Sequence, residues 1–200
     1  LTAGPVELRP WTLPNLLTFL RLVALPFLVV AILEGRHGTA LAIFLVAAIT
    51  DIVDGYLARH FGMGSPLGAY LDPIADKLFL VSSFVVFALP GTPSEVHVPI
   101  WLLVLTIFRD VLILVISLVM YLALDIRDFP PSVLGKLTTF SEVCTIVAIL
   151  LANVDALPVL VAQAFFWIVL ALAIASGFHY VWRSSHGIAR HRDAAPPATP

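Results

Sequence analysis

Charge is what this chain has least of. Asp, Glu, Lys and Arg together make up 12% of its 200 residues, about half the ~25% share typical of a water-soluble domain. A globule facing water on every side is thereby excluded. With 60% hydrophobic residues and a mean hydropathy of +1.01, the class is an integral membrane protein. Cysteine is almost missing: Cys144 stands alone in an apolar run, which excludes an intrachain disulfide or a thiolate metal cluster and leaves a small core residue. A basic stripe is missing too. Lys and Arg sit mostly at the ends of apolar runs, so nucleic acid is not an expected partner. The first apolar run lacks a small-residue cleavage site and is followed by several more, so it is expected to stay in the membrane and not to be removed as a signal peptide.

Long apolar runs are what the chain has instead. Six can be counted, roughly 16–33, 39–58, 71–89, 98–124, 133–152 and 157–182. Each is near the ~20 residues that cross about 30 Å of hydrocarbon as a helix, and Gly, Pro or charge separates them. The expectation is an all-α, six-transmembrane-helix bundle without internal repeats. Its parts are a juxtamembrane segment over 1–13 with Trp11 as an interface anchor, a transmembrane domain over 14–183 and a cytoplasmic tail over 184–200, unstructured beyond Arg192. Six spans put both termini on one side of the membrane. That side collects Arg9, Arg59, Arg127, Arg183, Arg190 and Arg192 against Arg36 on the other, which predicts cytoplasmic termini.

The informative stretch is DIVDGYLARHFGMGSPLGAYLDPIADK, residues 51–77. Asp51 and Asp54 are three apart and Asp72 and Asp76 four apart, so each pair projects onto one helical face. The turn through Gly62, Gly64, Ser65 and Pro66 brings the two helices back antiparallel, and the pairs meet near one depth. A carboxylate near hydrocarbon costs ~2.5 to 3.5 kcal/mol, and four together repel one another. Arg59 and Lys77 offset part of this; one or two divalent ions offset it better. An all-oxygen set suits Mg²⁺ or Mn²⁺, and two ions ~4 Å apart can bridge a pyrophosphate. Gly55, Ala58 and Gly68 leave the adjoining helix surfaces open for close packing or for a flat ligand.

Taken as a pattern, Asp51-x-x-Asp54-Gly55-x-x-Ala58-Arg59, then eight residues, Gly68-x-x-x-Asp72-x-x-x-Asp76 resembles the signature of the CDP-alcohol phosphatidyltransferases. The resemblance extends over residues 14–182 through the number of spans. It implies a homodimer whose active site opens to the cytoplasmic leaflet, with a bacterial inner membrane as the expected location. It also implies Asp51, Asp54 and Asp72 as metal ligands, and Asp76 as general base and further metal contact. Asp51, Gly55, Ala58 and Arg59 would line the nucleotide site, which Gly68 keeps open. The donor implied is CDP-diacylglycerol, and CMP is the leaving group.

Polar residues outside the signature bear on the acceptor. Asn15, Thr18 and Arg21 fall at three-residue intervals in LPNLLTFLR, a run similar to the PNxLTxxR segment of phosphatidylglycerophosphate and cardiolipin synthases. Arg109 lies well inside the fourth span beside Asp110, where burial demands a counter-ion or an anionic ligand. Lys136 opens the fifth span, with Thr139 and Glu142 following at threes. Arg21, Arg109 and Lys136 are the candidate phosphate-binding cations, supported by Asn15, Thr18, Asp110, Thr139 and Glu142. The RDVLI run at 109–113 looks more like the cardiolipin synthase branch, while Glu142 replaces the glutamine expected in both branches. Phosphatidylglycerol is the provisional acceptor, followed by glycerol 3-phosphate and inositol phosphate. A cation transporter would instead spread carboxylates along a path to the far side; a scaffold would bind no divalent ion.

Overall fold

The computed structural model describes residues 13–61, 66–124 and 132–194, without the side chains of 13–14, 54–61, 66–70, 121, 123–124 and 183–194. The juxtamembrane segment up to residue 12, the end of the tail at 195–200 and Arg127 lie outside it. So do the side chains of Asp54, Ala58 and Arg59 and the surroundings of Gly55 and Gly68.

Six helices follow one another: α1 (Leu13–Leu33), α2 (His37–Phe61), α3 (Pro66–Ala88), α4 (Ile100–Leu124), α5 (Val133–Ala152) and α6 (Val159–Ala194). The helical class agrees with the sequence reading, but the six-transmembrane-helix bundle does not survive. Among the described residues, four helices carry stretches long and apolar enough to cross a membrane: Asn15–Leu33, Ile100–Met120, Val133–Ala152 and Val159–Trp182. The described apolar part of α2, His37–Val53, is shorter, and α3 carries Asp72, Asp76 and Lys77 in its first half. The physical reason is that the ionic residues of 51–77 occupy helical turns that hydrocarbon would otherwise have to solvate. Proline does not interrupt the helices. Pro26 in α1 and Pro73 in α3 are accommodated inside them, each removing one backbone donor.

Two compact units make up the chain, residues 1–98 with 146–159 and residues 99–145 with 160–200. In the first, α1 packs against both α2 and α3. Its sharp return into α2 is a glycine-capped helix end. Gly35 has φ +70° and donates to Ile32 O at 3.0 Å, while Arg36 N reaches Ala31 O at 2.8 Å, the paired bonds of a Schellman motif. Phe44 on α2 meets Phe79 on α3 with ring centroids 5.5 Å apart. Asn153 ties the loop before α4 to the end of α5, accepting from Glu95 N at 2.8 Å and donating to Ser94 Oγ at 2.9 Å.

The second unit holds α4, the first part of α5 and nearly all of α6. Ser132 starts α5 as an N-cap: its Oγ accepts from Gly135 N at 3.0 Å and its carbonyl from Lys136 N at 3.1 Å. Thr138 joins α5 to α6 by donating to Leu172 O at 3.2 Å. Large apolar side chains such as Phe27, Phe108 and Phe178 remain exposed on the outer faces, as a hydrocarbon solvent permits and water does not.

Candidate active site

Two groups of functional side chains emerge, one in each unit. The first is built on α1. Asn15, Thr18 and Arg21 are all buried, Arg21 to 4% exposure, because a three-residue step keeps them along one edge of the helix. Thr18 donates its hydroxyl hydrogen to Asp72 Oδ1. Arg21 donates through Nη1 to Asp76 Oδ1, and the same nitrogen lies 2.9 Å from Asp51 Oδ1. Carboxylates from α2 and α3 thus converge on a single buried nitrogen of α1.

This convergence bears on the metal expectation. Asp51 and Asp76 are aimed at one cation position, and their side chains keep 43% and 37% exposure, so they stay open to a ligand on the other side. Their oxygen-only chemistry fits a hard divalent ion. Among the described residues, no group of three acidic or His/Cys side chains closes around one point. Arg21, expected from the sequence as a phosphate-binding cation, supplies the positive charge in this arrangement.

The second group surrounds Arg109, 7% exposed on α4. Its guanidinium donates through Nη1 to Asp110 Oδ1 at 2.8 Å and through Nη2 to Ser176 Oγ at 2.9 Å and Gly135 O at 3.3 Å. Its Nε, also buried, has no hydrogen-bond partner among the described residues. Gly135 sits close to the cluster: a Cβ there would stand 3.2 Å from Arg109 Nη2 and 3.1 Å from Ser132 Oγ, so either side chain would have to shift by a few tenths of an ångström. Beside this cluster lies a cavity of about 440 Å³ walled by Arg109, Lys136, Thr139 and Tyr180 together with apolar side chains such as Phe140. Lys136 is exposed, Thr139 turns its hydroxyl to Gly135 O at 3.3 Å, and Glu142 is buried on α5. Tyr180 meets the hydroxyl of Ser117 on α4.

Sequence reasoning missed Ser132, Gly135, Ser176 and Tyr180. The signals were weak but physical. Ser132 stands three residues before Gly135 at a helix start, and Ser176 is a lone hydroxyl in an apolar run where a polar group must find a partner.

Comparison with known proteins adds relatives to this geometry. The pattern of the CDP-alcohol phosphatidyltransferase family matches residues 11–175. A putative cardiolipin synthase of Mycobacterium bovis is 33% identical over 175 residues, 87% of this chain and 79% of that protein. A probable phosphatidylglycerophosphate synthase of Mycobacterium tuberculosis is 34% identical over 196 residues, 92% of this chain and 86% of that protein. A cardiolipin synthase (CMP-forming) / mitochondrial hydrolase fusion protein of Schizosaccharomyces pombe is 41% identical over 118 residues, 59% of this chain and 19% of the fusion.

Proposed function

The chain belongs to the CDP-alcohol phosphatidyltransferase family and is an enzyme of that type; from that premise we propose that it transfers the phosphatidyl group of CDP-diacylglycerol to phosphatidylglycerol, forming cardiolipin and CMP. The observation that carries the reading is the convergence of Asp51 and Asp76, from different helices, on Arg21 Nη1. Such a focus of negative charge suits a reaction at a diphosphate.

In this reading Asp51, Asp54, Asp72 and Asp76 would hold two divalent cations, Mg²⁺ or Mn²⁺. The chemistry they supply when bound is stabilisation of charge on the diphosphate and on departing CMP. Asp76 takes the proton of the acceptor hydroxyl as its oxygen attacks the phosphorus attached to diacylglycerol; the new P–O bond forms as the bond to CMP breaks. No covalent enzyme intermediate is needed. Thr18 fixes Asp72, and Arg21 keeps Asp51 and Asp76 together between turnovers. Gly55, Ala58, Arg59 and Asp51 bind the nucleotide, with Gly68 leaving room for it.

The acceptor's phosphate is assigned to the cavity beside Arg109 and Lys136. Asp110 balances Arg109 at 2.8 Å, so Lys136 supplies the cavity's remaining positive charge among its described lining residues. A phosphodiester carries a single negative charge, whereas a phosphomonoester carries about 1.5 to 2 near neutral pH. That balance and the apolar wall favour phosphatidylglycerol over glycerol 3-phosphate or inositol phosphate. Glycerol 3-phosphate is the second reading, favoured by the relative named a probable phosphatidylglycerophosphate synthase, which aligns with 92% of the chain. A homodimer with cytoplasmic termini, in a bacterial inner membrane and with its site open to the cytoplasmic leaflet, completes the proposal.

The test is an acceptor panel. Purified full-length chain is incubated with labelled CDP-diacylglycerol, Mg²⁺ or Mn²⁺, and phosphatidylglycerol, glycerol 3-phosphate or inositol phosphate separately. Labelled cardiolipin and CMP are expected with phosphatidylglycerol. Product from glycerol 3-phosphate alone moves the assignment to the second reading, and absence of acceptor-dependent CMP with all three ends the transferase reading.

A further inference from the structure

Between α1 and α2 lies a groove of about 300 Å³ that the reaction scheme leaves unused. Leu20 and Val46 form its exposed rims, and Ala24, Ala42 and Ala47 keep it open by being small. Arg21 and Thr50 are its polar lining residues, yet neither makes it polar in effect. The Thr50 hydroxyl donates back to Val46 O at 2.9 Å and Ala47 O at 2.8 Å, and the Arg21 Nη1 is engaged by Asp51 and Asp76. What remains is an apolar trough on a membrane helix, and it begins at the arginine that holds the aspartates.

We propose that this groove binds one acyl chain of the CDP-linked lipid donor. The proposal rests on the donor reading given above and extends it to where the lipid lies. Three observations support this occupant over bulk lipid. The groove shares Arg21 with the carboxylate cluster, so a molecule with its diphosphate at the aspartates has its tail at the groove's entrance. From Thr50 to Ala42 the groove follows about 12 Å of α2 at ~1.5 Å per residue, close to one leaflet's share, about 15 Å, of the hydrocarbon core. The Thr50 hydroxyl is satisfied within its own helix and Arg21 Nη1 by the two aspartates, so an alkyl chain entering the groove takes no hydrogen bond from either.

The test uses full-length chain in mixed micelles and has two readouts. In the first, a CDP-diacylglycerol analogue with a photoreactive group in one acyl chain is cross-linked and mapped by mass spectrometry, a measurement that needs no turnover. Label concentrated on the peptides containing Leu20 and Val46, and reduced by Ala24→Leu or Ala42→Leu, is the expected result. Label spread over the exposed faces of α4 and α6, unaffected by either variant, means annular lipid only and overturns the proposal. In the second, CMP release is compared for donors with long and with six-carbon acyl chains. Because the added side chain displaces a few methylenes, each variant should lower the long-to-short ratio of kcat/KM about tenfold, mainly through KM. An unchanged ratio in an active variant overturns the groove assignment, whereas localised label without CMP release from the parent keeps the groove and removes the transferase reading. Ala24 and Ala42 are chosen because neither is in the buried core, so a larger side chain there enters the groove without overpacking the helix interface.

Discussion

Two buried arginines, one in each unit, show how partners decide what a charge is for. Arg21 and Arg109 are similarly enclosed, at 4% and 7% exposure. Arg21 is claimed by two carboxylates from neighbouring helices, so it serves as their counter-charge. Arg109 meets a single carboxylate, on the adjacent residue, and is otherwise held by a serine hydroxyl and a backbone carbonyl. The first arginine completes an acidic centre. The second is neutralised by its chain neighbour and held in place by uncharged partners, on the wall of a cavity.

The sharpest way to break this contrast is to remove Asp76, the acid proposed as the base. Asp76→Asn keeps the size of the side chain and loses the base, so turnover at saturating Mn²⁺ should fall by about 10³, while CDP affinity measured by titration stays within a few-fold. Turnover near the parental rate would remove Asp76 from the base role.

Arg21→Gln asks whether a guanidinium and a divalent ion can substitute for each other. Without Arg21, Asp51 and Asp76 repel across the helix interface. The partly exposed carboxylates limit the loss to about 2 kcal/mol, roughly 4–8 °C in Tm for a chain of this size. That loss should appear in EDTA and largely vanish when Mn²⁺ is added. An equal loss under both conditions means the ions do not occupy the place the arginine vacates.

The smallest effect is expected at Ser176, which touches Arg109 and is a positioning residue. Ser176→Ala removes one acceptor from Nη2 and should raise the acceptor's KM about fivefold with kcat nearly unchanged, as loss of one hydrogen bond implies. Ser176→Thr should restore it. If kcat and KM moved together and threonine gave no rescue, the serine would be a packing residue only.

Some of this was legible in the chain and some was not, for identifiable reasons. The helices were, because apolar runs of this length leave few alternatives. The common edge of Asn15, Thr18 and Arg21 was also legible, since helical spacing alone sets it. The count of six spans fails at α2 and α3, where the sequence reading puts Asp51, Asp72, Asp76 and Lys77 at the ends of full spans although they use up the length a span needs. Ser176 and Gly135 could not be foreseen as neighbours of Arg109. Their meeting depends on how α4, α5 and α6 are rotated against one another, and an apolar sequence with no strong stripe does not specify that.

The short return at 34–36 has a consequence for how this protein can vary. Gly35 locks α1 and α2 with no slack between them, so the turn works as a caliper whose jaws are Arg21 and Asp51. A residue inserted inside α2 ahead of Asp51 would rotate the rest of that helix by about 100° and swing Asp51 off the arginine. With the turn holding the start of α2 fixed, a change of length near it is felt at the aspartates, at the opposite end of both helices.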